Sequence, residues 1–372
     1  MHIGIDISAL TPHRTGVGHF TGALLEAMLA EGGEMCFSGF SSGMQPIELR
    51  GIAGLERRRH LRVPTRLLYQ CWEHLRAPRI DRLLPGIDVY HATNYFLPPS
   101  AHARTVVTLY DLTFLKYPQW CSPRITGPFS RNVRRYAPTA DAILTCSESS
   151  KADIVALLGV APERVHVTYG AVAPGFAAYT RVAAASRVAQ GYGIRGPYVL
   201  FTGTLEPRKN ITGLLAAYAR VAGEIPQSLV LAGGLGWYEK NLDAELARLG
   251  ISGRVLRPGY ITPYSDLAAL YGAADCFFFP SLYEGFGLPV VEAMACGCPV
   301  IASNVSSLPE VGGDAALYVN PASVEEMAET LRSVCLGTTL RERLAAAGPA
   351  RAEAFSWEKT ARETLAVYRG IA

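Results

Sequence analysis

The 372-residue sequence has no run of about 18 apolar residues, so no membrane-spanning helix is expected. Its eight cysteines include no CxxC pair and no histidine at zinc-ligand spacing. This argues against a structural zinc site and suits a reducing cytoplasm. Cys296 and Cys298 read as small packing residues in a helix-to-strand turn. Neither sign of charge dominates: 35 Lys and Arg stand against 32 Asp and Glu, a net charge of +3. That excess is too small to argue for a nucleic-acid partner. The opening Met1-His2-Ile3-Gly4-Ile5-Asp6 goes straight into a strand pattern, so no signal peptide is expected. A hydrophobic share of 49% with 18% charged residues is that of a globular chain, and the length suits two domains with ample core.

Against these absences, one stretch is rich in signal. The apolar run Cys276-Phe277-Phe278-Phe279 reads as a buried strand. Pro280-Ser281-Leu282-Tyr283-Glu284-Gly285-Phe286-Gly287-Leu288-Pro289-Val290-Val291-Glu292-Ala293-Met294-Ala295 then reads as a glycine-rich turn leading into a helix. Pro289 fits the first helical turn, where a missing N–H leaves nothing unpaired. The backbone amides around Gly287 and Leu288 lie at the positive end of that helix, which favours an anion. Glu284 precedes the turn and Glu292 follows eight residues later. Two carboxylates, which accept from hydroxyls, therefore bracket a phosphate-sized site. The expected ligand is a phosphate with sugar on both sides.

The rest of the chain alternates strands with helices in two similar halves. Residues 2–8 read as a first strand, and Thr11-Pro12-His13-Arg14-Thr15-Gly16-Val17-Gly18 as a glycine-containing loop before a helix from about His19 to Ala30. Such a loop can approach a phosphate, although Thr21 stands where a dinucleotide fingerprint has its third glycine. Asp88 to Phe96 and Arg104 to Leu112 read as strands ending in polar turns, which places His91, Tyr110 and Asp111 near a carboxyl end. In open α/β sheets ligands collect there. A hydrogen-bonded loop residue is the alternative for His91. Ala140 to Cys146 reads as a further strand, with Ser147 or Ser149 capping the next helix. Residues 172–187, rich in small residues and containing Pro174 and Gly175, hold the domain junction.

The second half restarts at Tyr198-Val199-Leu200-Phe201-Thr202-Gly203-Thr204-Leu205-Glu206-Pro207-Arg208-Lys209-Asn210, again strand, loop and helix start, with Asn210 or Thr212 as cap. Arg208 and Lys209 before that helix could hold a diphosphate, Arg by forked bonds and Lys as a point charge; solvated loop charges are the alternative. Strands are expected at Ser228–Gly234, Arg254–Ile261, Pro299–Ser303 and Ala316–Val319. A helix from Tyr264 to Ala274 presents an apolar face read as core. Residues from about 324 to 370 read as helical, packed down by Phe355, Trp357 and Tyr368. The domains expected are 1–178, 179–357, and a final helix over 358–372.

Residues 50–82 carry nine arginines (50, 57, 58, 59, 62, 66, 76, 79 and 82) against Glu56, Glu73 and Asp81, interleaved with Leu61, Val63, Leu67, Leu68, Tyr69 and Trp72. Two readings stand side by side: a surface that docks an anionic membrane, or a solvated helix face with core contacts.

The segment Ser281 to Val300 resembles the paired-glutamate signature, Glu284 and Glu292 with seven residues between, of retaining GT-B glycosyltransferases of family 4 type. Thr-Gly-Val-Gly-His-Phe at 15–20 and Gly-Thr-Leu-Glu-Pro-Arg-Lys-Asn at 203–210 look most like bacterial mannosyl- and rhamnosyltransferases of polysaccharide and O-antigen assembly. The resemblance covers nearly the whole chain and is weaker over residues 30–85. It implies two facing Rossmann-like α/β domains with a cleft between them, an amino-terminal one for acceptor and a carboxyl-terminal one for donor, and a last helix crossing back to the first domain. It also implies a metal-independent transfer that retains anomeric configuration, in line with the lack of a DxD-like acidic pair at any strand end.

By the same resemblance, Gly16, Gly18, Gly203, Gly285, Phe286, Gly287 and Leu288 approach the donor. Tyr260 lies near the nucleobase and Glu292 holds the ribose. Glu284 holds the transferred sugar, and Arg208 and Lys209 stabilise the departing phosphate. Relatives place His-Asp where this chain has Tyr110-Asp111, a departure that suits a different sugar, such as one lacking the 6-hydroxyl. Asp111 remains a catalytic candidate, and His91 and Tyr110 are acceptor candidates. The donor expected is GDP-mannose, with GDP-rhamnose or a UDP-hexose as alternatives. The acceptor expected is a polyprenyl-diphosphate-linked glycan at the inner face of the cytoplasmic membrane. A nucleotide-sugar epimerase and a catalytically silent sugar-nucleotide-binding subunit are the alternative classes.

Overall fold

The computed structural model describes residues 1–11, 16–49, 52–173, 176, 179–234, 236 and 242–372, with the backbone alone at 124 and 125. Residues 12–15 of the first glycine loop, Arg50, and Pro174 and Gly175 of the expected junction lie outside the described residues. The chain divides into two compact units, one of residues 1–170 and 356–372, the other of residues 171–355.

The first unit is built on seven parallel strands: β1 (His2–Asp6), β2 (Cys36–Ser42), β3 (Arg57–Leu61), β4 (Val89–Ala92), β5 (Arg104–Thr108), β6 (Ala142–Thr145) and β7 (Val165–Val167). Their order is β3-β2-β1-β4-β5-β6-β7. Parallel strands need helical crossovers, which cover both faces and bury the central strands throughout. Strands β4 and β6 are accordingly buried at every position. Strand order reverses between β1 and β4, so the loops leaving those strands open a crevice at their carboxyl ends.

Two features here depart from the sequence reading. Arg57, Arg58 and Arg59 lie on the edge strand β3, not on a helix face. A run of exposed positive charge on an edge strand discourages pairing with another chain. In addition, the first helix begins at Gly16, so Gly16 and Gly18 belong to its first turn rather than to the preceding loop. The cap reading is resolved at residue 147: Ser147 Oγ accepts from the Ser150 amide at 3.0 Å, and Gly159 ends that helix in the left-handed conformation.

The final helix, Trp357–Ile371, belongs to the first unit. Ser356 caps it, and Trp357, Ala361, Thr364, Leu365 and Tyr368 form its buried stripe. Trp357 meets Phe20 edge to face, with ring centroids 5.0 Å apart.

The second unit carries six parallel strands: β8 (Tyr198–Thr202), β9 (Ser228–Ala232), β10 (Val255–Gly259), β11 (Cys276–Phe279), β12 (Val300–Ser303) and β13 (Ala316–Val319). Their order is β10-β9-β8-β11-β12-β13, so here the reversal falls between β8 and β11. Strand β11 is the expected apolar run and is wholly buried; Phe277 and Phe279 stack with centroids 5.3 Å apart, and Phe279 stacks on Phe201 of β8 at 5.9 Å. Residues expected as a small-residue junction instead contain a helix, Arg181–Tyr192, capped by Thr180. Ala184 and Val188 give it a buried side against the helix Tyr264–Ala273.

Candidate active site

The turns that leave β8 and β11 flank the reversal point of the second sheet, so topology alone brings residues 203–210 beside residues 280–287. They are stitched together by the Leu282 amide, which donates to the Arg208 carbonyl at 2.8 Å. The Gly203 turn also packs against the turn after β9: a Cβ on Gly233 would lie 2.1 Å from the Gly203 carbonyl oxygen. Only glycine permits that approach, and Gly233 has φ +147°.

The cations and the carboxylate singled out in the sequence meet here. Arg208 Nη1 donates to Glu284 Oε2 at 2.7 Å, and Lys209 Nζ to Glu284 Oε1 at 2.6 Å. Arg208 also donates to Glu206 Oε1 at 2.8 Å and to the Tyr283 carbonyl at 3.1 Å. Lys209 and Glu284 are 8% and 5% exposed, and the ammonium lies 4.7 Å from the Phe279 ring centroid. Burial alone would push the Glu284 carboxyl up; the Arg208 guanidinium and the Lys209 ammonium outweigh it and hold the group below its ordinary range. Burial pulls Lys209 down, opposed by Glu284. The two positive charges are matched within the site by Glu206 and Glu284. Ser306 and Ser307 fix the turn: Ser306 Oγ accepts from the Glu284 amide at 2.9 Å, and Ser307 Oγ donates to the Glu284 and Phe286 carbonyls.

The helix that follows, Leu288–Ala295, starts from Gly287 at φ +103° with no side-chain cap. A Cβ on Gly287 would lie 2.6 Å from Leu308 Cδ2, a side-chain end that can shift, so it is the backbone angle that favours glycine. Gly285, Phe286, Gly287 and Leu288 thus form the lead-in to a helix start whose amides suit an anion.

Glu292 lies in a second, distinct cluster. Tyr271 Oη donates to Glu292 Oε2 at 3.1 Å, and Tyr264 Oη to Oε1 at 3.5 Å. Thr202 Oγ1 is 2.7 Å from Tyr271 Oη. Burial dominates and raises the Glu292 carboxyl to about 7, against the two phenols, which lower it. Near neutral pH this carboxylate is therefore half protonated. Tyr260, just past β10, is 65% exposed, which leaves its ring open to a flat partner.

The sequence reading missed Glu206, Tyr264, Tyr271, Ser306 and Ser307. For Glu206 a signal exists, since it stands two residues before Arg208. For Tyr271 none does: the helix Tyr264–Ala273 reads as core, and Tyr271 is indeed fully buried, with only its hydroxyl reaching the carboxylate.

The remaining candidates belong to the first unit. Gly16 is exposed and Gly18 buried in the first turn of their helix. Asp111 is half-buried after β5, its Oδ1 accepting from the Thr113 amide at 2.9 Å. Tyr110 is half-buried; its hydroxyl donates to the Thr93 carbonyl at 3.0 Å and lies 3.3 Å from Thr21 Oγ1. Phe20 and Tyr95 pack edge to face on its ring. Burial pushes the Tyr110 phenol well up.

His91 departs from its expected role. It is fully buried, and its two ring nitrogens are taken by Thr108 Oγ1 and Tyr368 Oη, each at 2.6 Å. Burial pushes the imidazole down to about 3, so it stays neutral. It fastens the last helix to the sheet and has no face left for an acceptor. Among the described residues no group of three His, Cys, Asp or Glu side chains is placed to hold a metal ion, and no helix is long and apolar enough to cross a membrane.

Comparison with known proteins agrees with this architecture. Residues 14–176 match the family described as Glycosyltransferase Family 4, and residues 187–351 match Glycosyl transferases group 1. O-antigen chain mannosyltransferase B of Escherichia coli is 36% identical over 284 residues, covering 76% of this chain and 74% of that protein. Serotype-specific mannosyltransferase WbdA of Escherichia coli is 28% identical over 396 residues, covering 97% of this chain but only 47% of the relative. Sucrose-phosphate synthase from Thermosynechococcus elongatus superposes with a TM-score of 0.79 at 22% identity, covering 100% of this chain and 98% of that one, a likeness of fold. With both halves matched by glycosyltransferase families and the entire length sharing a GT-B fold, the chain belongs to the family 4 type of glycosyltransferases.

Proposed function

We propose that the protein transfers mannose from GDP-mannose, with retention of configuration and without a metal, to a growing glycan on a polyprenyl diphosphate. The Arg208–Lys209–Glu284 cluster at the β8/β11 reversal carries the transfer part of this reading, because it holds two cations, paired to carboxylates in the free protein, beside an anion-favouring helix start. The names of the two Escherichia coli mannosyltransferases support the sugar, and the O-antigen relative supports a place in cell-surface polysaccharide assembly.

In this mechanism the bond between the anomeric carbon and the diphosphate oxygen breaks as an acceptor hydroxyl adds on the same face. The hydroxyl proton passes to the departing phosphate, and the nucleoside diphosphate leaves. Glu284 holds Arg208 and Lys209 in place in the free protein. When a diphosphate arrives, the two cations share their hydrogen bonds with it, and the amides at Gly287 and Leu288 add theirs. Glu284 then turns an oxygen to the sugar hydroxyls. Ionised Glu292 accepts from the ribose hydroxyls, and Tyr260 offers its exposed ring to the base. The reaction takes place in the cytoplasm, with residues 50–82 against the inner face of the membrane, where a lipid-linked acceptor is held.

Thermal stabilisation by GDP, UDP, dTDP and ADP, with and without EDTA, tests the donor. A ligand at 100 times its dissociation constant stabilises a fold by about 2.7 kcal/mol. A GDP-selective shift that survives EDTA is the expected result. A UDP-selective shift would replace the donor, and no shift with any nucleotide would overturn the nucleotide-binding reading of this site. Tyr110 favours GDP-rhamnose as the second reading: its bulky phenol is fixed by Thr93 where relatives carry histidine, which suits a sugar without a 6-hydroxyl.

A further inference from the structure

The amino-terminal ends of the first sheet hold a feature that the donor site does not use. A cavity of about 410 Å³ is lined by Ser38 of β2, Arg57, Arg58 and Arg59 of β3, and Arg82 with Leu84 beyond it. Arg57 opens β3 and pairs in register with Ser38. Ile87, also in the lining, stands just before β4. The cavity is therefore at the opposite ends of the strands from Asp111.

Four arginines line this one cavity, and among the described residues no carboxylate does. Arg57 lies 3.3 Å from His2 Nδ1 and 3.9 Å from the exposed Glu56. Among the described residues no hydrogen bond or ion pair engages the side chains of Arg58, Arg59 or Arg82. Two other nearby carboxylates are turned to backbone amides: Asp88 Oδ2 accepts from His2 at 2.7 Å, and Asp81 Oδ2 from Ala101 at 3.4 Å. Like charges gathered with only the exposed Glu56 as counter-charge repel one another, and an added anion relieves that repulsion. Edge protection accounts for charge on β3. It does not account for Arg82, which comes from a separate helix, Ile80–Leu83, and faces the same cavity. The floor is apolar, with Leu84 and Ile87 buried.

We propose that this pocket binds a phosphate group, a second anion site in the first unit that is independent of donor binding. The planar guanidinium forks match phosphate oxygens better than ammonium groups would. Two sources of phosphate share this chemistry: a lipid headgroup, whose first methylenes the apolar floor would accept, and phosphate free in solution.

The test compares the wild-type protein with the triple variant Arg58→Ala/Arg59→Ala/Arg82→Ala and with the triple variant carrying Lys at the same positions. One arm titrates inorganic pyrophosphate by calorimetry. The other floats the protein with phosphatidylglycerol vesicles at about 0.05 and 0.3 M salt, a range over which exposed charges become strongly screened. Any pyrophosphate bound in the second unit is common to all three proteins, so the pocket is read as the difference between them.

Loss of a pyrophosphate-binding event in the alanine variant, with vesicle binding unchanged, supports the pocket with free phosphate as its source. A fall in vesicle partitioning of about 100-fold at low salt supports it with a lipid source, since each basic residue near an anionic surface is worth roughly fivefold. The lysine variant is expected to fall between the other two in whichever arm responds. Should the alanine variant fail to fold, Arg82→Glu alone, a change of two charges, is carried through both arms, with a fall in vesicle partitioning of about 25-fold expected for a lipid source. Unchanged pyrophosphate binding and unchanged flotation in a folded variant would overturn the proposal.

Discussion

The Glu292 carboxyl gives the structure its sharpest quantitative consequence. Its pKa in the folded protein is raised from 4.5 to about 7, with burial as the main cause. The unfolded chain gives up this proton near 4.5, whereas the folded chain keeps it. Between those values the unfolded state binds fewer protons, so stability falls as pH rises. At 1.36 kcal/mol per pH unit, the loss is about 3 kcal/mol above pH 7 but only about 1.4 kcal/mol at pH 5.5. Glu292→Gln keeps the shape and one acceptor oxygen for the tyrosines while removing the titration. The variant should therefore gain about 2 kcal/mol relative to wild type on going from pH 5.5 to pH 8. Urea unfolding followed by circular dichroism measures the difference, and hydrogen exchange over the helix Leu288–Ala295 assigns it to the second unit. Equal effects of the substitution at the two pH values would refute the assignment of a raised pKa to this group. The same group sets a pH dependence for any diol ligand: nucleotide affinity should weaken below about pH 7 in wild type, and that dependence should vanish in Glu292→Gln.

Five further substitutions have expected outcomes. Glu284→Ala and Lys209→Ala should each lower turnover by about 10²-fold or more, the scale of losing one electrostatic donor; near wild-type rates would remove that residue from the mechanism. Glu284→Ala should also cost about 3–5 kcal/mol in stability, because it leaves the buried Lys209 without its main partner; a negligible change in the urea midpoint would contradict the pairing. Gly233→Ala should destabilise by roughly 2–3 kcal/mol, since its Cβ would meet a carbonyl that belongs to the backbone and cannot swing aside; an unshifted melting temperature would mean the two turns do not approach as described. Tyr368→Phe should cost about 1–3 kcal/mol by orphaning a buried ring nitrogen of His91. With the imidazole held near 3, His91 itself contributes stability that is complete above pH 6.5 and is lost as pH falls; acid unfolding of His91→Gln with an unchanged midpoint would show that it does not.

The legible parts of the fold were those where local pattern and tertiary role coincide. Cys276 to Phe279 is apolar at every position because β11 lies at the centre of its sheet, and that run needs no other context to read as a strand. Strands β2 and β3 were not legible. Cys36-Phe-Ser-Gly-Phe-Ser-Ser is weak in β-branched residues, and Arg57-Arg-Arg-His-Leu carries the charges of an edge. The helix Arg181–Tyr192 was obscured because alanine and small residues suit both a linker and a helix. At the site, the residue types were readable but their pairing was not: Arg208 and Lys209 find Glu284 across about 75 residues, through the adjacency of β8 and β11. His91 was misread for the same reason, since its partner Tyr368 is 277 residues away.

The residence of the final helix in the first unit sets an order for synthesis. The stripe Trp357–Tyr368, including the phenol that satisfies His91, is the last part of the first unit to leave the ribosome. Between Gly170 and Ser356 the whole second unit is made. At about 5–20 residues per second, that interval lasts on the order of 10–40 s. During it, the sheet β1–β7 stands with the surface meant for Trp357 and Tyr368 uncovered, while the second unit has every strand it needs. The second unit can therefore reach its native state first, and the unit whose synthesis began earlier is completed last.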